Sequence, residues 1–162
     1  MVKISRQFEV IQIISGGQTG VDRAALDVAI ELGIQYGGFC PKGRLAEDGI
    51  IPGKYKFTEL GSSEYLTRTF ENVQASDGTL IIHTGTVVGG TLITRDYCKM
   101  LSKPFIEINL LDDHKKNPAN FDNWLKEYPI IILNIAGPRE AEEPIYERTF
   151  TFLMELLSQF NM

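Results

Sequence analysis

A glycine-rich turn near the start of the chain has the residue types that could bind an anion. The turn reads Gly16-Gly17-Gln18-Thr19-Gly20, and it joins an apolar, β-prone run at residues 10–15 to a pattern of helical spacing. Glycine leaves backbone N–H groups accessible because it has no Cβ, and a helix N-terminus adds free amides and a partial positive charge. The turn therefore predicts a site for a phosphate or another oxyanion.

Three further segments resemble this turn in composition and position. They are Cys40-Pro41-Lys42-Gly43, the glycine-rich segment from Gly85 to Thr91 that contains Gly89 and Gly90, and Ala136-Gly137-Pro138-Arg139. Each follows a predicted strand, and open α/β sheets bind ligands at the carboxyl ends of their strands. A single glycine-rich turn is more often only a connection, but several at one edge of a sheet favour a shared ligand cleft.

The elements that must position these turns alternate along the whole chain. The predicted strands are residues 10–15, 36–40, 79–83, 105–109 and 130–135. The predicted helices are residues 21–32, 68–74, 91–101 and 117–128, and a last helix whose apolar side holds Ile145, Phe152, Leu153, Leu156 and Phe160. We expect Asn117 to cap the fourth helix and Pro118 to be its first residue. The alternation predicts an α/β fold: one Rossmann-like domain over residues 1–162, with three layers and a mostly parallel sheet of about five strands.

The segment at residues 41–63 departs from this alternation. It contains glycine at 43, 49, 53 and 61, proline at 41 and 52, and little periodicity. Long loops inside a compact domain are uncommon and often serve as functional lids. The segment is either such a lid or an elaborated surface connection.

Four charged residues lie beside the turns, and three of them allow two interpretations. Asp22 follows Thr19 at capping-box spacing and so could complete a helix start, or it could act as a catalytic acid. Lys42 and Arg44 could neutralise a ligand anion or be solvated surface charges. Arg139, between a buried-type strand and a loop, is the arginine that we favour most for an anion.

The histidine, cysteine and aromatic candidates are weaker. His83 ends the third strand and could be a general base, although a lone histidine there is more often structural. Cys40 is a small buried hydrophobe by default and a soft metal ligand only beside a metal centre. We expect Cys98 to pack inside a helix, and Trp124 with Tyr128 to lie in the core or at an interface.

Composition and spacing exclude several classes of function. The net charge is −5 with no dense basic run, which argues against nucleic acid and acidic membranes as partners. The turns lack the dinucleotide and P-loop spacings, so NAD and ATP chemistry fit poorly. The two cysteines have no zinc-like spacing, and a disulfide between them has no support. The charged start of the chain, residues 1–9, has no apolar signal core, and we expect a cytoplasmic protein.

The chain resembles the molybdenum cofactor carrier family, a circularly permuted relative of the YpsA-like proteins within the SLOG group of Rossmann-like domains. The resemblance lies in residues 15–27, in Gly38-Phe39-Cys40-Pro41-Lys42-Gly43-Arg44, in Glu47-Asp48-Gly49, Ile51-Pro52, Tyr55, Arg68-Thr69 and Asn72-Val73, and in Ser76-Asp77-Gly78-Thr79, Gly89-Gly90-Thr91, Lys103-Pro104 and Asn134-Ile135-Ala136-Gly137-Pro138-Arg139. These segments cover most of residues 10–150.

The resemblance implies a non-enzymatic binding or carrier protein, which forms a homo-oligomer and holds the molybdenum cofactor, a phosphorylated pterin. The predicted binding residues are Gly16, Gly17, Gln18, Thr19, Gly20, Lys42, Gly89, Gly90, Thr91 and Arg139. No catalytic residue and no resident metal, zinc or NAD is expected.

Two other functions stay open. Similar domains bind nucleotides or hydrolyse nucleoside monophosphates, and Asp22 or Glu47 would then be the acid–base group. The hydrolase motif Pro-Gly-Gly-x-Gly-Thr-x-x-Glu is not matched, because residues 85–91 align poorly with it and lack the glutamate. The third possibility is a domain whose cleft serves only assembly.

Overall fold

The computed structural model describes residues 10–112 and 116–159, so the predictions for residues 1–9 and Phe160 lie outside the described residues. The strands are β1 Gln12–Ile14, β2 Gln35–Gly37, β3 Phe39–Cys40, β4 Leu45–Ala46, β5 Gly49–Ile50, β6 Thr58–Glu59, β7 Gly78–His83, β8 Phe105–Asn109 and β9 Ile132–Ala136. The helices are α1 Val21–Leu32, α2 Tyr65–Ala75, α3 Gly89–Met100, α4 Lys116–Glu127 and α5 Tyr146–Gln159.

The central sheet has five strands in the order β2-β1-β9-β7-β8, and each neighbouring pair is parallel. Its architecture confirms the predicted α/β, Rossmann-like fold with a parallel sheet between helices. The strand order places the carboxyl ends of β1, β9 and β7 side by side at the middle of the sheet. The turns that follow these three strands therefore meet at one edge.

The hydrophobic core explains the three layers. One face of the sheet packs against α1, α4 and α5 through alternate strand residues such as Leu80, Ile82, Leu133 and Ile135. Helices α2 and α3 contact each other and the sheet through β9 and β7. Trp124 is buried beside Phe121 within the larger core, which supports the core interpretation of that residue.

The predicted strand at residues 36–40 is wrong as a single element. Gly38 has φ of 124°, a backbone conformation that divides the run into β2 and β3. The side chain of Asn72 then accepts a hydrogen bond from the Phe39 N–H at 2.8 Å and donates to the Phe39 carbonyl at 3.0 Å. As a result, β3 leaves the central sheet and pairs with β6.

The start of the fourth helix also differs from the prediction. α4 begins at Lys116, so Asn117 lies inside its first turn rather than at the cap. The Asn117 amide donates to the Asn109 carbonyl at 3.0 Å and so ties the helix to the end of β8. The other predicted helices and central strands agree with the structure to within a few residues at their ends.

Residues 41–63 are anchored to the body of the protein. A second hydrophobic cluster joins this segment to α1 and contains Leu26, Cys40, Ala46, Ile51 and Tyr55. Cys40 and Cys98 are both buried free thiols, which agrees with a packing role for each. None of the helices in the described part of the chain is long and apolar enough to cross a membrane.

Candidate functional site

A cavity of about 360 Å³ lies at the carboxyl edge of the central sheet, between α2, α3 and the turns after β1 and β9. Its volume lies within the range typical of small-molecule sites. Six of the predicted binding residues line it: Gly16, Gln18, Gly89, Gly90, Thr91 and Arg139. The other four, Gly17, Thr19, Gly20 and Lys42, are not among the lining residues, and Lys42 is exposed on the 41–63 segment.

Most backbone amides of the β1–α1 turn, residues 15–20, have acceptors within the protein. The N–H of Gly17 donates to Ser15 Oγ at 3.4 Å, that of Gln18 to Asp22 Oδ2 at 3.3 Å, and that of Thr19 to Gln18 Oε1 at 3.1 Å. At the start of α1, the Val21 N–H donates to the Pro138 carbonyl at 3.2 Å. These bonds use the donors that the sequence predicts for an anion.

The glycines of the β1–α1 turn are required by packing within the protein. Gly20 has φ of +79°, and a Cβ there would lie 2.4 Å from the Pro138 carbonyl oxygen. A Cβ at Gly17 would lie 2.7 Å from the Phe57 ring. Approach to a ligand is therefore not needed to explain these two glycines.

The β7–α3 turn, residues 84–88, leads to a helix start that is open to the cavity. α3 begins at Gly89, and no side chain caps its N-terminus. The first amides of a helix have no acceptor within the helix. A Cβ at Gly90 would have no atom within 4 Å, so the space in front of this residue is open.

A buried hydroxyl at the same helix start has no partner. Thr91 is 4% exposed and lines the cavity, and within the described residues its Oγ1 makes no hydrogen bond. Leaving a buried hydroxyl unpaired costs about 1–3 kcal/mol. A ligand oxygen at the start of α3 would satisfy both this hydroxyl and the free amides.

Arg68 supplies positive charge to the cavity and is not among the predicted binding residues. Its side chain is buried beneath the β1–α1 turn, where Nη1 donates to the Gly16 carbonyl at 3.3 Å and the guanidinium lies 5.3 Å from the centroid of the Tyr65 ring. A Cβ at Gly16 would lie 2.3 Å from Arg68 Cδ. The available signal was the spacing of Arg68 and Asn72, two polar residues on the apolar face of α2.

The predicted capping box at Thr19 and Asp22 is wrong. Gly20 is the N-cap residue of α1, and no side chain caps this helix. Thr19 Oγ1 instead bonds to Glu47 and accepts a hydrogen bond from the Glu140 N–H at 3.1 Å. Thr19 therefore joins Glu47 to Glu140, whereas Asp22 accepts a hydrogen bond from the Gln18 N–H.

Asp22 is a buried acid at the wall of the cavity. It is 7% exposed, and burial raises the pKa of its carboxyl to about 6, although Arg68, Arg23 and the N–H groups of Gln18 and Gly16 act in the opposite direction. A carboxyl with this pKa can hold or release a proton near neutral pH. This property fits either an acid–base group or a site whose charge depends on pH.

The cation predicted at Arg139 lies at the mouth of the cavity with two acidic neighbours. Its Nε is 3.1 Å from Glu142 Oε1 and 3.7 Å from Glu47 Oε2, and its side chain is 42% exposed. The Glu47 carboxylate also accepts from the Ala141 N–H at 3.0 Å, while its own N–H donates to Gln18 Oε1 at 2.8 Å. Glu47 therefore joins the 41–63 segment to the turns after β1 and β9.

The remaining candidates stabilise local structure. Arg44 donates to the carbonyls of Ile51, Pro52 and Tyr55, which holds the 41–63 segment in its fold. His83 is buried, and its Nδ1 accepts a hydrogen bond from the Gly85 N–H at 3.1 Å. Across residues 10–112 and 116–159, no group of three or more His, Cys, Asp or Glu side chains could hold a metal ion.

A parallel sheet between helices, with a cavity at the carboxyl ends of its middle strands, defines a protein of the Rossmann-like class. Residues 13–157 match the model of the circularly permutated YpsA SLOG family, and the chain belongs to that family. It is also similar to the crystal structure of a protein from Syntrophus aciditrophicus SB named putative molybdenum carrier protein. The identity is 44%, the TM-score is 0.87, and the match covers 94% of this chain and 96% of that one. A comparison with curated proteins finds no match.

Proposed function

We propose that this protein binds the molybdenum cofactor and carries it without chemical change. The observation that carries the proposal is the start of α3, where no side chain caps the first amides and Thr91, whose buried hydroxyl has no partner in the described residues, lines a cavity of ligand size. The name of the similar Syntrophus protein gives the molybdenum-related class of ligand. The cofactor would be the cargo of the protein, since it would arrive and leave intact.

The lining of the cavity offers contacts for both parts of a phosphorylated pterin. The start of α3 and the Arg68 guanidinium would hold the phosphate or another oxyanion, because both favour negative charge. Tyr65, Leu66 and Ile93 line the cavity between α2 and α3, where a flat ring system would pack. Arg139 would contribute a second cation at the mouth.

Within this proposal the β1–α1 turn has a supporting role. Gly16 and Gln18 form part of the cavity wall, whereas Gly17, Thr19 and Gly20 shape the turn through contacts inside the protein. Lys42 is exposed and does not line the cavity, so no contact is assigned to it. The anion is therefore assigned to the α3 start rather than to the turn that the sequence emphasises.

Anaerobic thermal unfolding with added molybdenum cofactor tests the proposal. Cofactor at about 100 times its Kd stabilises the folded state by about 2.7 kcal/mol, which is a shift of several degrees in Tm for a chain of this size. Thr91→Val removes the hydroxyl and is expected to weaken binding about tenfold. Thr86→Val is the matched control, because Thr86 is exposed on the β7–α3 turn and does not line the cavity.

The absence of any shift with the cofactor would contradict the proposal. A shift with AMP or ADP-ribose alone would indicate a nucleotide-binding protein instead. Loss of binding in both threonine variants would show that the effect is not specific to the start of α3.

A second candidate function is N-glycosidic hydrolysis of a nucleotide, which the position and raised pKa of Asp22 favour. Asp22 would act as the acid–base group, whereas Glu47 lies outside the cavity lining and is held by Thr19 and Ala141. Release of free base from AMP by the pure protein, lost in Asp22→Asn, would support this function. No release of base would leave the carrier function as the better account.

A further inference from the structure

Two acidic side chains line the cavity that is proposed to bind an anion: Glu142, which lies beside Gly89 and is paired with Arg139, and Asp22, which has no ion-pair partner in the described residues. Asp22 lines the same cavity as Gly89, Gly90 and Thr91, and it is 7% exposed. Two negative charges repel strongly where little water separates them. An anion at the start of α3 and an ionised Asp22 therefore oppose each other.

The charged groups around Asp22 do not remove this conflict. The charged side chains that line the cavity or act on the carboxyl are Arg23 on α1, Arg68 on α2, and Arg139 and Glu142 after β9. Arg23 is already held by Asp48 and by the Gly17 carbonyl, and Arg139 by Glu142. The cavity-lining residues of α3 and β9 are uncharged, and Tyr65 on α2 is the other titratable group in the lining. Arg68 would therefore have to neutralise both the Asp22 carboxylate and the ligand.

We propose that this site takes up one proton with its anion, and that Asp22 holds the proton. A protonated carboxyl has no charge to repel the ligand and gains an O–H donor. The inference rests on the proposed function, because it requires an anion at the start of α3. It adds that affinity depends on pH and that the ligand is released more readily as pH rises.

The pKa of Asp22 sets the range in which this dependence acts. In the free protein burial raises that pKa to about 6, so the carboxyl is largely ionised above neutral pH. If only the protonated form binds, affinity falls about 50-fold between pH 6 and pH 8. Binding of the anion in turn raises the pKa of Asp22 further.

A titration with sodium sulfate, followed by the amide NMR signals of Gly89, Gly90 and Thr91, tests the inference. Sulfate is used because its own charge does not change between pH 5 and pH 9, and chloride keeps the ionic strength constant. We expect the Kd of sulfate to rise about 50-fold from pH 6 to pH 8 in the unmodified protein. In Asp22→Asn, the Kd should be the same at both pH values.

Asp96→Asn is the matched control, since Asp96 is an exposed acid on α3 and its loss changes the net charge equally. The control should keep the pH dependence of the unmodified protein. A measurement on the unmodified protein needs no variant: the carboxyl carbon signal of Asp22 should titrate at higher pH in saturating sulfate than in chloride.

The possible outcomes separate the two proposals. A Kd that is equal at pH 6 and pH 8 in the unmodified protein, or a pH dependence that persists in Asp22→Asn, would overturn the inference while leaving the anion site in place. If sulfate moves none of the three amide signals in either protein at either pH, the proposed function loses its site, and the inference falls with it.

Discussion

The β1–α1 turn and the β7–α3 turn look alike in sequence but differ in how the folded protein uses them. In the first, Ser15, Gln18, Asp22 and the Pro138 carbonyl accept the amides, and glycine is needed where loops pack against each other. In the second, the space in front of Gly90 is open, and Thr91 has a buried hydroxyl without a partner in the described residues.

The difference separates two reasons for placing glycine at the start of a helix. Glycine can permit close packing of one loop on another, as at Gly20, or it can leave space for something outside the chain, as at Gly90. Only the second arrangement leaves donors for a ligand. Two of the three experiments below pair a change at one turn with the same change at the other, and the third tests Asp22 beside the first turn.

The largest expected effect is on stability, from alanine at the two contrasting glycines. Gly20→Ala places a Cβ 2.4 Å from a carbonyl oxygen at positive φ, and we expect it to lower the free energy of unfolding by about 4 kcal/mol. Gly90→Ala meets open space within α3 and should change the stability by less than about 1 kcal/mol. Urea denaturation of both variants measures the difference. Equal stabilities would contradict the assignment of Gly20 to packing.

An intermediate effect is expected from the pH dependence of stability that Asp22 causes. Its pKa is raised from 3.8 to about 6 on folding, so between these values the folded protein holds a proton that the unfolded chain has released. Stability therefore falls as pH rises, by about 2 kcal/mol between pH 4.5 and pH 8 from this group. Asp22→Asn should remove that decrease in urea denaturation at the two pH values. The same decrease in the variant would show that another group is responsible.

The smallest effect is expected from two threonines, one at the start of each helix. Thr19→Val loses the bonds to Glu47 and to the Glu140 N–H, which should cost about 1–2 kcal/mol of stability. Thr91→Val removes a hydroxyl that has no partner, so stability should stay level or rise by up to about 1 kcal/mol. Thermal unfolding without ligand measures both. A larger loss in Thr91→Val would show that its hydroxyl is already satisfied inside the protein.

The fold was more predictable than the site because the spacing of apolar residues depends on the local secondary structure. The helix at residues 21–32 and the strand at residues 105–109 follow from the spacing of apolar residues, and the structure has α1 and β8 at the same bounds. The division of residues 36–40 was not predictable, because it depends on Asn72, more than thirty positions away. The pairing of β3 with β6 likewise joins segments of two residues each, which are too short to show alternation.

The acceptor to which each backbone amide donates could not be predicted from the sequence either. The Pro138 carbonyl reaches Val21, and Glu47 reaches both Thr19 and Ala141, so contacts between distant segments decide which donors stay free. Arg68 was missed for the same reason, since nothing near it in sequence shows that it lies beneath Gly16.

The position of a bound oxyanion would distinguish the start of α3 from the β1–α1 turn as the anion site. Crystals soaked in tungstate near pH 6, with anomalous diffraction from the tungsten, would locate it without knowledge of the natural ligand. The account predicts an anion at the start of α3, within hydrogen-bond distance of Thr91 Oγ1 and the amides of Gly89 and Gly90. An anion on the amides of Gly17, Gln18 and Thr19, with the α3 start empty, would contradict it.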